Sequence, residues 1–209
     1  MNYLLKQVST LSEEQKKLFS KTLKGKINKF RKSWKNLVYY ENMEKENQLI
    51  SQESLEKEMK KYELEIKKFC LTSIDLIDSI LNEPDKHISS RIFYKCLKAD
   101  FYRYFAEVAD GEEFVTYTDK SQYFYKQAYQ ETLISLDPIS SLSLNVTLNY
   151  ALFCYDLLDD VKKAFNIADS VYKKALTKIK DSKLENEIDT LIKCTEENLT
   201  IWKIELDDE

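Results

Sequence analysis

Glycine, proline and histidine are scarce in this sequence of 209 residues, which contains two glycines, two prolines and one histidine. Glycine and proline interrupt regular structure, so their scarcity predicts long uninterrupted helices. The single histidine, His87, follows Pro84 at a predicted helix start, and we interpret it as a surface or capping residue. One histidine cannot complete a metal site by itself, and no motif supplies the partners of a nucleophile–base pair.

Paired cysteines and long apolar runs are also missing. The four cysteines lie far apart within apolar helical patterns, and no C-x-x-C pairing occurs, which predicts buried reduced thiols rather than a disulfide or zinc framework. No apolar run reaches membrane-spanning length, and residues 1–10 lack the organisation of a signal peptide. We therefore expect a cytoplasmic protein without a metal or other cofactor. The cysteines are Cys70, Cys96, Cys154 and Cys194.

Charge of one sign does not dominate. Charged residues make up 33% of the chain and give a net charge of −4, which argues against a nucleic-acid or membrane-surface partner. The carboxylates occur as solvated helix charges rather than as isolated pairs in apolar surroundings, and there is no glycine-rich phosphate loop. These observations favour a protein that is not an enzyme.

The sequence does contain a series of apolar patterns with helical period. They predict an all-α fold of about seven long helices joined by short connections, which is typical of antiparallel helical hairpins. We expect one domain over residues 1–205, with a helical turn or two within residues 1–10, and a short acidic tail at 206–209. The first long helix starts after its N-cap Ser12 and ends at a polar loop near 42–48, and the others cover about 49–82, 87–109, 116–135, 139–156, 159–178 and 184–204.

Arg103 stands at the edge of the apolar stripe of the third predicted helix. A guanidinium near a core is costly when unpaired, so it needs an anionic partner, either a carboxylate elsewhere in the chain or an anion from another molecule. The first predicted helix adds Lys24 and Arg31, which lie seven residues apart and project the same way. If the two helices face one another, these three cations converge on a single anion.

A phosphate suits such a cluster, because guanidinium donors match its oxygens bidentately and a nearby tyrosine hydroxyl adds another bond. A phosphoserine or phosphothreonine in a flexible segment is a natural ligand of this kind. On spacing alone, however, Lys24, Arg31 and Lys35 are better explained as solvated surface charges, because basic helix faces are common. The sequence assigns no carboxylate to Arg103, which favours the external anion.

Four motifs resemble those of the 14-3-3 protein family, in the family's order and at nearly its spacing, and the resemblance covers about residues 5–205. It implies an all-helical concave cup whose groove binds phosphoserine or phosphothreonine peptides. The seven predicted helices correspond to the family's last seven. The motifs are Arg103-Tyr104-Phe105-Ala106-Glu107-Val108-Ala109 before Gly111, Arg31-Lys32-Ser33-Trp34-Lys35, Leu148-Asn149 with Phe153, and Glu197-Asn198-Leu199-Thr200-Ile201-Trp202.

The resemblance also implies site residues by position, called the matched residues below. Those matching the family's phosphate-binding quartet are Lys24, Arg31, Arg103 and Tyr104. Those matching the asparagines that clamp the peptide backbone are Asn149 and Asn198. The apolar wall of the groove is matched by Leu148 and Leu152, and polar groove residues are matched by Trp202 and by Asp156, which replaces a glutamate.

Several positions depart from the family's pattern. Lys35 replaces an arginine, Cys96 replaces a groove lysine, and Asn145 replaces a glycine on the groove floor. Aligning the last helix through Asn198 without a gap puts Thr190 and Cys194 where the family has leucines. The alternative alignment deletes one residue within the helix and rotates everything beyond it by about 100°, so we favour the version without a gap.

The front of the chain departs as well. Of the family's two further front helices, which supply half of the dimer contact, the first is missing here and the second is reduced to residues 1–10. The apolar face of the first long helix, formed by Phe19, Leu23 and Ile27, is then expected to be partly uncovered. We predict a monomer or a weakened, non-standard homodimer.

The sequence therefore predicts a non-catalytic adaptor that binds phosphoserine or phosphothreonine segments of client proteins. The alternative is a tetratricopeptide-like helical scaffold that binds unphosphorylated peptides, with the basic residues serving only internal salt bridges. A hydrolase or transferase is disfavoured, because the nucleophile–base motif that it needs is missing.

Overall fold

The computed structural model describes residues 11–44, 52–83, 87–179 and 186–208. Within these ranges the chain forms seven α-helices and no strand, which confirms the all-α fold class. The helical turn predicted within residues 1–10 lies outside the described residues. The helices are α1 (Glu13–Glu44), α2 (Gln52–Leu81), α3 (Ile88–Ala106), α4 (Gly111–Ser135), α5 (Ser141–Asp156), α6 (Val161–Ile179) and α7 (Asn186–Asp208).

The start of α1 is fixed by a reciprocal pair of hydrogen bonds. The backbone N–H of Gln15 donates to Ser12 Oγ at 3.3 Å, and the backbone N–H of Ser12 donates to Gln15 Oε1 at 2.9 Å. This is a capping box, which satisfies two donors at the start of the helix and confirms the predicted N-cap. At its other end α1 continues to Glu44, into the segment predicted to be a polar loop.

Other helix ends differ from the prediction as well. The fourth helix starts at Gly111 rather than near residue 116, and α3 ends at Ala106 rather than near 109. Gly111 has a φ of +51°, in the left-handed region that glycine adopts most easily, so the chain reverses there within a few residues and α4 begins at once. The last helix continues through Asp208, so most of the predicted acidic tail is helical.

Contacts divide the chain into two compact units. Unit 1 comprises Met1–Pro84 and Tyr104–Tyr117, and unit 2 comprises Asp85–Arg103 and Thr118–Glu209. The end of α3 and the start of α4 therefore belong to unit 1, while the rest of both helices belongs to unit 2. The expectation of a single domain stays a prediction.

In unit 1, α1 packs against α2. The indole Nε1 of Trp34 donates to Glu63 Oε1 at 3.1 Å, which ties the middle of α1 to α2. Ile27 on the apolar face of α1 is completely buried, whereas Phe19 and Leu23 on the same face are half-buried. Of the three residues of this face, Phe19 and Leu23 are thus the ones that are partly uncovered.

The end of α3 and the start of α4 are held together within unit 1 by aromatic and ionic contacts. The rings of Phe105 and Tyr117 stack with centroids 3.7 Å apart. Lys67 of α2 lies 2.6 Å from Glu113 Oε2 and places its Nζ 5.5 Å from the Phe105 centroid. These contacts fix the neighbourhood of Tyr104 and Glu107.

The core of unit 2 is built from α3 to α7 around small side chains. Completely buried alanines on four helices allow close packing, because interaxial distance depends on the side chains at the contact. Burying the large apolar side chains between them removes apolar surface from water and stabilises the unit. The buried alanines are Ala99, Ala128, Ala151, Ala164 and Ala168, and the largest fully buried side chains packed with them are Tyr125, Phe153 and Trp202.

Polar caps set the ends of α5 and α6 in unit 2. Ser140 Oγ accepts from the backbone N–H of Ser143 at 3.2 Å, and Asp160 Oδ1 accepts from that of Lys163 at 2.9 Å. Between the two helices Asp159 has a φ of 52°, a left-handed conformation that aspartate tolerates better than most residues. The predicted break at Asp159-Asp160 is confirmed, and α5, which carries four of the matched residues, is capped at its start.

The four cysteines are free thiols, as predicted. Cys70, Cys96 and Cys154 are buried, but Cys194 is only half-buried, so the prediction of burial was wrong for that residue. Burial raises the pKa of Cys154 to about 12, which keeps its thiol protonated near neutral pH. Among the described residues, no helix combines the length and the apolar character that crossing a bilayer requires.

Candidate functional site

Arg31 on α1 is held in place by three hydrogen bonds within unit 1. Its Nε and Nη2 donate to the two carboxylate oxygens of Glu107 at 2.7 and 2.8 Å, and Nη1 donates to Asn28 Oδ1 at 2.8 Å. The guanidinium carbon lies 4.2 Å from the centroid of the Tyr104 ring. The structure therefore brings together Arg31 and Tyr104, two of the four matched phosphate-binding residues.

The Arg31–Glu107 pair is shielded from water, with side chains only 15% and 13% exposed. A bidentate pair in such surroundings fixes the plane of the guanidinium as well as its position. The three bonds to Glu107 and Asn28 occupy three of the five N–H groups that a guanidinium carries, so the group retains donors for a further acceptor. Burial, with a further contribution from Glu107, raises the pKa of the Cys70 thiol in the same region.

Lys24 and Lys35 lie on α1 on either side of Arg31. Lys24, two turns before Arg31, is half-buried, while Lys35, one turn after it, is exposed. The partial burial of Lys24 distinguishes it from an ordinary solvated charge, whereas Lys35 fits that description. Of the three basic residues on this helix, Lys24 and Arg31 are thus the stronger candidates for binding an anion.

Arg103, in unit 2, faces a carboxylate of this chain. Its Nη1 lies 3.6 Å from Oδ2 of Asp156, the last residue of α5, and the two side chains are 13% and 46% exposed. Of the two kinds of partner that the sequence left open for Arg103, the structure shows a carboxylate of this chain, which the sequence had not assigned. Asp156 comes from another helix, so the pairing depends on tertiary packing that spacing along one helix cannot reveal. The distance exceeds that of a hydrogen bond, so the pair is a loose one.

Asn149 on α5 is turned toward two neighbours in unit 2. Its Nδ2 donates to Asn145 Oδ1 at 2.9 Å and lies 4.0 Å from Cys96 Sγ on α3. Asn149 is half-buried, Asn145 is exposed and Cys96 is buried. Asn145 and Cys96 are two of the positions at which the sequence departs from the family's pattern, and both contact the same carboxamide.

Asn198 on α7 makes a comparable internal bond, because its Nδ2 donates to the carbonyl oxygen of Cys194 at 2.7 Å. It is half-buried, like Cys194, whereas Thr190 on the same helix is exposed. The helix runs without interruption from Asn186 to Asp208. The alignment of this helix with the family stays a prediction.

The remaining matched residues of unit 2 differ in how accessible they are. Leu148 is buried, with 8% exposed, and Leu152 is half-buried against the core. Trp202 is only 1% exposed and packs 5.6 Å from the ring of Tyr155, whose hydroxyl donates to Glu205 Oε1 at 2.7 Å. Trp202 is therefore a member of the core, and its contribution to peptide binding stays a prediction.

The matched residues are divided between the two units. Unit 2 holds more of them than unit 1. On α3, Arg103 belongs to unit 2 and the next residue, Tyr104, belongs to unit 1. Those in unit 1 are Lys24, Arg31 and Tyr104, and those in unit 2 are Arg103, Leu148, Asn149, Leu152, Asp156, Asn198 and Trp202.

His87 lies exposed at the start of α3, where its carbonyl oxygen accepts from the backbone N–H groups of Ser90 and Arg91 at 2.9 and 3.2 Å. The prediction of a surface or capping residue is confirmed. Its Nδ1 lies 3.1 Å from Ser89 Oγ, a local contact on an exposed helix end. Over the ranges that the structure describes, no group of three or more histidine, cysteine, aspartate or glutamate side chains is placed to hold a metal.

Sequence reasoning missed the roles of Glu107 and Asn28 beside Arg31. A signal for Asn28 existed, because it stands three residues before Arg31 on the same helix, a spacing at which side chains meet. Glu107 belongs to the motif that begins at Arg103, but its pairing with α1 is a long-range contact and leaves no trace in local spacing.

Comparisons with known proteins extend the resemblance over nearly the whole chain. A family model described as 14-3-3 protein matches residues 1–203. The chain is 27% identical to the 14-3-3 protein beta/alpha of Rattus norvegicus over 208 residues, which covers 98% of this chain and 84% of the relative. The 14-3-3 protein beta/alpha of Gallus gallus is 28% identical over 207 residues, and that of Homo sapiens is 27% identical over 208 residues, with the same coverage.

Proposed function

Since the chain belongs to the 14-3-3 family, we propose that it is a non-catalytic adaptor that binds phosphoserine or phosphothreonine segments of client proteins in the cytoplasm. The observation that carries the proposal is the fixed position of Arg31 against Tyr104, 4.2 Å from the ring centroid, at two positions matched to the phosphate-binding quartet. A guanidinium already oriented by Glu107 loses little conformational entropy when it binds a ligand.

The proposed phosphate ligands are Lys24, Arg31, Arg103 and Tyr104. A phosphoserine carries a charge of about −1.5 to −2 at neutral pH and has three acceptor oxygens, so it attracts a cation more strongly than a single carboxylate does. At Arg31 the phosphate would use donors beyond those bonded to Glu107. At Arg103 it would compete with Asp156, whose contact is long and partly exposed to solvent.

The proposed peptide contacts lie on α5 and α7. Asn149 and Asn198 would bind the peptide backbone beside the phosphorylated residue, and both side chains are half-buried, hence partly accessible. Leu148, Leu152 and Trp202 would contribute apolar surface to the extent that their burial permits. Asp156 is proposed to act at the phosphate end of the site, because its carboxylate faces Arg103.

One observation favours a second candidate function, a helical scaffold that binds unphosphorylated peptides. Both arginines have carboxylate partners within the chain, Glu107 for Arg31 and Asp156 for Arg103. Such pairs are what the scaffold hypothesis requires of the basic residues. The family match favours the phosphopeptide adaptor.

Fluorescence polarisation with a short labelled peptide containing one phosphoserine, and with its unphosphorylated twin, tests the proposal. Arg31→Ala and Arg103→Ala should each weaken binding of the phosphorylated peptide about tenfold to a hundredfold, because each removes charge-assisted hydrogen bonds. Arg91→Ala is the matched control, since Arg91 is an exposed arginine of α3 that pairs with Glu131 at 3.4 Å. Affinity that is unchanged in both site variants would support the scaffold instead.

A further inference from the structure

Asn145 is an exposed residue of α5 to which the proposed function assigns no role. Its Oδ1 accepts a hydrogen bond of 2.9 Å from Nδ2 of Asn149, four residues later on the same helix face. We propose that Asn145 is a positioning residue, which orients the carboxamide of Asn149 so that its oxygen is presented to a bound peptide. The inference rests on the proposed function, because Asn149 is a proposed peptide contact.

The orientation of a carboxamide decides what it can recognise. The last torsion of an asparagine side chain is broad and roughly two-fold, and a half-turn exchanges its donor –NH₂ with its acceptor oxygen. Asn149 alone would therefore offer a peptide either a donor or an acceptor. The hydrogen bond to Asn145 turns the –NH₂ toward the preceding turn of α5, and Oδ1 consequently points the other way.

Cys96 reinforces the same orientation from a second helix. Its Sγ lies 4.0 Å from Asn149 Nδ2, and a cysteine sulfur is a weak acceptor. The –NH₂ group of Asn149 is thus directed at two acceptors of the chain, one on α5 and one on α3. Asn145 provides the shorter contact, and with its Oδ1 turned toward Asn149 it holds the –NH₂ group on the same side as Cys96 does.

The orientation of the Asn149 carboxamide determines which group of the peptide it can bind. A presented Oδ1 accepts a hydrogen bond, and since Asn149 is the proposed contact to the peptide backbone, the group that it recognises is a backbone N–H. Proline has no backbone N–H, and a proline at the contacted position would lose that bond. Asn145 would therefore add to the selectivity of the site without contacting the peptide itself.

A double-mutant cycle in polarisation binding to the phosphoserine peptide tests the inference. Asn145→Leu keeps the size of the side chain but removes the acceptor, and we expect affinity to fall about threefold to tenfold, the range for one ordinary hydrogen bond. In an Asn149→Ala background the same change should have no further effect, because there is no carboxamide left to orient. Asn166→Leu, a substitution of an exposed asparagine on α6, is the matched control and should bind like the wild type.

Nuclear magnetic resonance of ¹⁵N-labelled protein supplies a readout that does not depend on the peptide. Asn145→Leu should shift the side-chain amide signals of Asn149, and Asn166→Leu should leave them in place. Additive losses in the cycle, or unshifted Asn149 signals, would overturn the role of Asn145. A wild type that binds the phosphopeptide no better than its twin would overturn the proposed function instead, and the Asn149 signals would still decide whether Asn145 orients that side chain.

Discussion

At the scale of single residues, the two matched arginines meet their carboxylates in different ways. Arg31 forms a bidentate pair with Glu107 at 2.7 and 2.8 Å, and both partners are shielded from water. Arg103 lies 3.6 Å from Asp156, whose side chain is 46% exposed. The first pair acts as a fixed support for Arg31, whereas the second is a longer contact to an exposed carboxylate, which we propose that a bound phosphate would displace.

Asp156→Asn should therefore strengthen binding of a phosphoserine peptide about threefold to tenfold, the effect of removing one nearby negative charge in partly screened surroundings. Polarisation titrations of the variant and the wild type measure the change. Asp75→Asn removes the same charge from an exposed position on α2 and should have little effect. Weaker binding by Asp156→Asn would indicate that the carboxylate contacts the peptide directly.

A buried hydrogen bond in unit 2 leads to a second prediction at this scale. The hydroxyl of Tyr125 donates to Asp100 Oδ1, and the two residues are 0% and 1% exposed. Tyr125→Phe removes a bond to a buried carboxylate and should lower the free energy of unfolding by about 1–3 kcal/mol in urea denaturation. Tyr123→Phe changes a neighbour that is 57% exposed and should stay within about 0.5 kcal/mol. Equal effects of the two variants would contradict the importance of this bond.

At the scale of helices, the connection before α5 is tied to the end of α6. Lys178, in the last turn of α6, places its Nζ 3.0 Å from both carboxylate oxygens of Asp137. This contact, together with the backbone N–H of Ile139, holds the pKa of Asp137 below its ordinary value. Because folding lowers the pKa of Asp137, its ionised carboxylate stabilises the folded state above the unfolded pKa of about 3.9. This stabilisation is lost as the pH falls through the folded pKa. Both side chains are exposed, so the contribution is small.

Lys178→Ala should move the pKa of Asp137 upward, toward its ordinary value, because the largest cause of the depression is removed. The bond from the Ile139 N–H at 3.1 Å remains and should preserve part of the depression. A pH titration of the Asp137 carboxyl carbon by nuclear magnetic resonance measures both effects. The control is Lys174→Ala, an exposed lysine of the same helix; an identical titration in Lys178→Ala and the wild type would show that the contact does not persist in solution.

The sequence was sufficient to predict the helices but not all of their ends. Apolar periodicity located seven helices, and Ser12 and Asp159-Asp160 marked two of the boundaries, because caps act through residues close in sequence. The start of α4 was misplaced because Gly111, which looks like a simple break, reverses the chain and begins the next helix. The sequence shows that the chain turns at this glycine, but it does not show how few residues the turn takes.

For the candidate site, the limit of sequence reasoning lies in long-range pairing. The resemblance supplied the matched residues, and the structure brings Arg31 to Tyr104. The partners Glu107 and Asp156 depend on which helices pack together, so no spacing rule could assign them. Trp202 was matched to a groove position, but its indole is only 1% exposed and packs in the core.

At the scale of the whole molecule, the state of association is a prediction that rests on the apolar face of α1. Its apolar face is completely buried at Ile27 and half-buried at Phe19 and Leu23, while Leu18 is 65% exposed. The prediction of weak association rests on these few partly exposed apolar side chains. We expect sedimentation velocity to show a monomer, or a dimer that dissociates on dilution; a dimer that persists at nanomolar concentration would contradict this.

The proposed phosphopeptide-binding role requires that the molecule recognise phosphate on a client segment. Isothermal titration calorimetry of the wild-type protein with one phosphoserine peptide and its unphosphorylated twin tests this requirement. We predict that the phosphorylated peptide binds at least about a hundredfold more tightly, since it engages several charge-assisted hydrogen bonds. Equal affinity for the two peptides would contradict the phosphopeptide-binding role.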